Sequence, residues 1–173
     1  MTREEKRSGF IKHGRQMVMF TRHHQGHIAH RKGWFSSQVS ATNNFDKHAY
    51  DFVKEGVFVK MDGWFKTAEC EAKEFRPHDK KLTDFISSFI ANSDNCIVYR
   101  EKLIKEISLR PDCMLMAFKN NHAALMIAEV IRHERPEYTQ MKINALNQFY
   151  GLEDYIKTMF GLYIKPSFIK LEE

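Results

Sequence analysis

Leu82-Thr83-Asp84-Phe85-Ile86-Ser87-Ser88-Phe89-Ile90-Ala91-Asn92 is the stretch from which the architecture is read. Leu82, Phe85, Ile86, Phe89 and Ile90 recur at i, i+3, i+4, i+7 and i+8, which lines one face of an α-helix. Asp79 can cap this helix and Asn92 can end it. Toward the C-terminus the same reading continues. Residues 95–109 (Ile97, Ile104, Ile107), 113–119, 122–133 (Ala124, Ile127, Ala128, Ile131), 138–150 (Met141, Ala145, Leu146, Phe149) and 152–160 (Leu152, Tyr155, Ile156, Met159) are all predicted as helices. The tail is extended around Pro166. Toward the N-terminus, residues 68–75 form a short predicted helix ended by Arg76-Pro77. Residues 57–60 and 64–67 flank Met61-Asp62-Gly63, a hairpin signal. Residues 45–55 repeat apolar groups at Phe45, Ala49, Phe52 and Val53 before Gly56. Residues 36–44 are small and polar, and read as a loop or hinge. Residues 2–22 form a helix capped by Thr2, with Phe10, His13, Met17 and Phe20 on one face; Gly9 and Gly14 each weaken it by roughly 1 kcal/mol. The expectation is a mainly α protein: a basic N-terminal arm over 1–38, and one compact helical domain over 39–173 with a single hairpin at 57–67.

The chain has 173 residues, 43% hydrophobic and 28% charged, which is the composition of an ordinary folded domain and not of a disordered one. No apolar run approaches the length of a membrane span. The start, MTREEKRSGF, is charged where an export signal needs an apolar core, so a cytoplasmic location without membrane partners is expected. Cys70, Cys96 and Cys113 match neither a CxxC pair nor a disulfide framework, and read as buried reduced thiols.

Charge is distributed unevenly. Residues 1–35 hold eight Lys/Arg against Glu4 and Glu5, a net +6, while the other 138 residues sum to −1. Lysines and arginines neutralise phosphates and release counterions, the main source of non-specific nucleic-acid affinity. Arg7, Lys12, Arg15, Arg22, Arg31 and Lys32 are the candidate phosphate contacts, with His24 beside them. Trp34 and Phe35 are candidates for stacking on exposed bases. A solvated helix face, with these rings packed on the body, is the competing reading.

His23, His27 and His30 stand at i, i+4 and i+3 spacings that can bring imidazoles to one metal ion. No HExxH motif accompanies them, and no acidic residue lies between positions 6 and 45 to act as a nearby base. Asp51 and Glu55 can share a cation or pair with Lys47 and Lys54 on a wet surface, and the second reading is preferred. Phosphate loops and nucleophile elbows are absent: there is no GxxxxGK[ST], GxGxxG or GxSxG. No cofactor and no catalytic residue is expected.

Phe85-Ile86-Ser87-Ser88-Phe89-Ile90-Ala91-Asn92-Ser93-Asp94, followed by Tyr99-Arg100-Glu101, resembles the helicase-loading proteins of T4-type bacteriophages over about 20 residues. Those proteins carry an apolar helix ending in Ala-Asn-x-Asp and then a Tyr-Arg-Glu helix; the Trp-Ile-Gly stretch between them is missing here. The resemblance implies an α-helical protein that binds forked or single-stranded DNA and recruits a helicase.

The functional expectation is a non-enzymatic nucleic-acid-binding accessory protein of DNA replication or processing, favouring single-stranded or branched DNA over RNA. Two alternatives stand beside it: a metal-dependent nuclease or hydrolase built on the histidine cluster, and a small protein-binding inhibitor or adaptor.

Overall fold

Three hydroxyl side chains start the first three helices. Thr2 Oγ1 accepts the Glu5 N–H at 3.1 Å and opens α1 (Arg3–Met17). Thr21 opens α2 (Arg22–Arg31) through a capping box in which its side chain accepts the His24 N–H and His24 Nδ1 accepts the Thr21 N–H. Ser37 Oγ accepts the Ser40 N–H at 3.1 Å and opens α3 (Gln38–Lys54). The computed structural model describes residues 1–172, and they form two compact units, Met1–Asn92 and Ser93–Glu173.

The first unit also contains β1 (Met19–Phe20), β2 (Phe58–Lys60), β3 (Phe65–Thr67) and α4 (Pro77–Asn92). The strands form an antiparallel sheet in the order β1-β3-β2. Phe10, Phe20, Phe45, Phe52 and Phe58 are fully buried or nearly so and meet edge to face, as in Phe20–Phe58 with centroids 5.0 Å apart. Thr83 Oγ1 donates to the Met19 carbonyl at 2.8 Å and ties α4 to β1.

The second unit holds β4 (Asn95–Arg100), a 3-10 turn at Lys105–Ile107, β5 (Cys113–Lys119), β6 (His122–Ile131), α5 (Pro136–Gln148), α6 (Leu152–Phe160) and β7 (Ser167–Glu172). Its sheet has the order β4-β5-β6-β7, antiparallel except for the parallel pair β6–β7. Met114, Met116, Leu125 and Ile127 lie on one sheet face, packed with Leu146 of α5 and with Leu152, Ile156 and Phe160 of α6.

These elements overturn the mainly α expectation: among the described residues there are six α-helices and seven strands in two sheets. The segments 95–109, 113–119 and 122–133 are the source of the error, since they contain β4, β5 and β6 and no α-helix. Ala, Leu, Met and Glu are strong helix formers in isolation, but β5 and β6 are flanked by strands on both sides, and tertiary pairing overrides propensity there. The short helix expected over 68–75 does not form. The loop expected over 36–44 is largely the first two turns of α3, which buries Ala41, Thr42, Phe45, His48 and Phe52 at helical spacing. The hairpin lies where Asp62-Gly63 placed it, with Phe58 opposite Thr67.

The boundary expected at residue 38 falls inside the first unit, and the chain divides after Asn92. The N-terminal segment is therefore a packed pair of helices and not an arm: Phe10, Ile28 and Ala29 are wholly buried. Residues 85–92 belong to helix α4, and Tyr99 and Arg100 end strand β4 and stand on no helix.

Candidate active site

In β5 and β6 the side chains alternate between sheet faces, so Asp112, Met114 and Met116 share one face with Leu125, Ile127 and Glu129. Along this face the apolar layer gives way to acids at the Cys113–Ala128 end of the pairing. Asp112 stands just before β5, and Glu129 is 1% exposed within β6. Main-chain groups fix both: the Val130 N–H donates to Asp112 Oδ2 at 2.8 Å, and the Asp112 N–H donates to Glu129 Oε1 at 3.3 Å. Helix α5 turns Thr139, Lys142, Ile143 and Leu146 inward at i, i+3, i+4 and i+7. This brings Lys142 Nζ to 2.7 Å from Glu129 Oε2 and 3.5 Å from Asp112 Oδ1.

Two carboxylates thus share one ammonium in the wall of an open cleft of about 1000 Å³. Burial, with the neighbouring charge of Asp112, pushes the Glu129 carboxyl up to about 8 against the pull of Lys142. Arg110, Arg132 and Arg135 line the same cleft. All four carboxylate oxygens are engaged, by the Val130 and Asp112 N–H groups and by Lys142 Nζ, so Mg²⁺ or Mn²⁺ would bind these hard ligands only in place of the ammonium; the cleft leaves room for a substrate beside them. Cys113, next to Asp112, supplies no nucleophile, because burial pushes its thiol up to about 12.

The residues singled out from the sequence lie in the first unit. Arg7 pairs with Glu55 and Arg22 with Asp46. Arg31 donates to Asn92 Oδ1 at 2.8 Å. Lys12 and Arg15 are exposed on α1 and Lys32 is half-buried. The Trp34 ring stacks on His13 at 5.4 Å and meets Phe10 edge-on at 5.8 Å, so much of it faces protein. Lys6 Nζ lies 4.5 Å over the Phe35 ring. Both nitrogens of His24 are engaged: Nδ1 accepts the Thr21 N–H at 3.0 Å, so Nε2 carries the proton and donates to Asp84 Oδ1 at 2.7 Å. His23 and His27 do line one shallow hollow of about 450 Å³ with Lys80 and Asp84. His30 does not complete a triad with them, since its Nδ1 lies 3.2 Å from the Phe35 carbonyl, and it is not part of that lining. Glu55 pairs with Arg7 of α1.

Asp112, Glu129 and Lys142 are the residues that the sequence reading missed. Their signal is present once 113–119 and 122–131 are read as strands: Glu129 is the single acid inside an apolar run, and Asp112 immediately precedes another. No protein-family model matches the chain, and neither a curated protein nor a solved structure matches it.

Proposed function

We propose that the protein is a divalent-metal-dependent phosphodiesterase acting on nucleic acid. One observation carries this reading: Asp112, just before β5, and Glu129, on β6, converge with Lys142 at the wall of an open cleft. Perturbed, converging ionisable groups in a cleft mark a site for chemistry.

Asp112 and Glu129 would hold the cation, with the Lys142 ammonium moved aside from between them. When bound, the metal polarises the phosphoryl group and lowers the pKa of its water. Lys142 keeps a positive charge beside the phosphate, where negative charge builds in the transition state. In the hydrolysis a water oxygen bonds to phosphorus, the bond to the leaving sugar oxygen breaks, and that oxygen takes up a proton. Arg110, Arg132 and Arg135 supply charge for neighbouring phosphates, against Glu101 and Glu134 in the same lining. The first unit carries a net +5 and the second a net charge of zero, so exposed Lys12 and Arg15 add non-specific affinity for a polyanion through the first unit.

The test is cleavage of single- and double-stranded oligonucleotides with Mg²⁺ or Mn²⁺, with a chelator as control. Cleavage that requires the metal, and falls roughly 100- to 1000-fold in Asp112→Asn or Glu129→Gln variants, is expected. Absence of cleavage on every substrate, together with no shift of the melting temperature by Mn²⁺, overturns the reading.

A further inference from the structure

Helices α2 and α3 of the first unit are joined by residues 32–37, where Gly33 turns the chain at φ 79°. The two helices meet closely: a Cβ at Gly26 of α2 would lie 1.9 Å from Thr42 Oγ1 of α3. One turn nearer the start of α2 and the end of α3, Arg22 Nε donates to Asp46 Oδ1 at 2.9 Å. The Val57 N–H donates to the Phe52 carbonyl at 2.8 Å, so the β2–β3 hairpin follows directly on α3. A short turn between two packed helices, the second turned outward, is helix-turn-helix connectivity.

Helix α3 has two unlike faces. Ala41, Thr42, Phe45, His48 and Phe52 point into the unit. Val39, Asn43, Lys47 and Tyr50 recur at i, i+4, i+8 and i+11 on the opposite side, and all are exposed, Val39 at 72% and Tyr50 at 73%. An amide, an ammonium and an apolar group on one stripe match the edges that base pairs present in the major groove. Asparagine pairs with adenine N6 and N7, lysine with guanine O6 and N7, and an apolar group meets the thymine methyl. The groove is wide enough to admit one α-helix.

Charge has the sign that this ligand needs. Residues 22–67 hold seven Lys/Arg against four Asp/Glu. Two of those acids, Asp46 and Glu55, are held by Arg22 and Arg7. Of the other two, Asp51 is half-buried and Asp62 sits in the hairpin turn, beyond exposed Lys60 of β2.

We propose that α3 reads double-stranded DNA: its exposed face, with Asn43 at the centre, enters the major groove, α2 crosses the adjoining backbone, and Lys60 meets a phosphate beside the groove. The site lies wholly in the first unit and does not rest on the phosphodiesterase reading.

The test uses the full-length protein in chelator, so that no metal-dependent cleavage intervenes. A pool of short duplexes of randomised sequence is selected for binding, and the enriched duplex and the starting pool are then titrated by fluorescence anisotropy. Asn43→Ala should weaken binding to the enriched duplex roughly 5- to 150-fold, the loss of one base contact, and leave binding to the starting pool nearly unchanged. Lys60→Ala should weaken both alike and lower the slope of log affinity against log salt by about 1. Tyr150→Ala, at a 99% exposed position of the second unit, should change neither. Asp112→Asn should bind as the parent does, so a failure of the cleavage reading leaves this site standing. No sequence enriched over the starting pool, or full affinity in Asn43→Ala with its melting temperature kept, overturns the inference. Loss of duplex binding in Asp112→Asn alone also overturns it, by placing the contact in the second unit. Sedimentation in which the parent self-associates and Val39→Ala does not, with no duplex bound, assigns this face to a second copy of the chain and overturns it too.

Discussion

Lys142 reaches across from α5 to Glu129 on β6, 2.7 Å away, and it is the single ammonium set between Glu129 and Asp112. The consequences for stability and for chemistry have opposite signs. Removing the lysine leaves two acids in a buried site, so Lys142→Met should cost about 3 kcal/mol in urea unfolding. Removing an acid relieves the site: Asp112→Asn or Glu129→Gln should leave the melting temperature unchanged or raise it while activity disappears. A purely architectural trio would lose stability in all three variants.

His13 makes the first unit sensitive to acid. Burial, helped by Lys32 and Lys12, lowers its pKa from 6.5 to about 3. Between those values the unfolded chain binds a proton that the folded one does not. Stability is therefore fully present above about pH 6.5 and is lost as the pH falls toward 3, by up to about 1.4 kcal/mol per pH unit. Urea midpoints from pH 7 to pH 4 should fall less steeply in His13→Leu than in the parent protein; parallel slopes would contradict this.

Gly9 is required for packing and not for flexibility. A Cβ built there would lie 2.2 Å from Trp34 Cη2. Gly9→Ala, which gains roughly 1 kcal/mol in helix propensity, should nevertheless destabilise the unit by roughly 1–3 kcal/mol through overpacking. Thermal unfolding of this variant gives the sign directly.

Two of the N-terminal arginines are already paired. Arg22 Nε donates to Asp46 Oδ1 at 2.9 Å, and Arg7 is bound to Glu55. The double variant Asp46→Asn/Glu55→Gln frees both guanidiniums. Its stability should change by less than about 1 kcal/mol per pair, because the pairs are largely exposed. Nucleic-acid affinity should rise, and the slope of log affinity against log salt should steepen by up to about 2. An unchanged slope would show that this surface does not meet the polyanion.

How much of this was legible depends on the kind of burial. Helix α4 has one wet face and one dry face, so Leu82, Ile86 and Ile90 announce themselves by spacing. The β2–β3 hairpin carries Asp62-Gly63, and Gly63 adopts φ 79° in the turn. Strands β5 and β6 have neither signal in that form. Their central residues are buried on both faces, which erases the alternation that marks a strand. The one remaining cue was Asn120-Asn121, which adopts φ 51° and 64° and turns β5 into β6. Reading these segments as helices separated Asp112 from Glu129, and the candidate site could not be assembled. The basic N-terminal segment was legible as charge, but Asp46 and Glu55 reach it only through the packing of α3, which spacing along the chain does not disclose.

Trp34, stacked on His13, and Trp64, stacked on Phe75, are the protein's two tryptophans, and both belong to Met1–Asn92. Indole emission is accordingly a private optical channel for that unit, whereas the peptide circular dichroism signal is broadcast by both. Overlaying the two melting curves tells whether the halves come apart as one cooperative block or in succession, with no label attached.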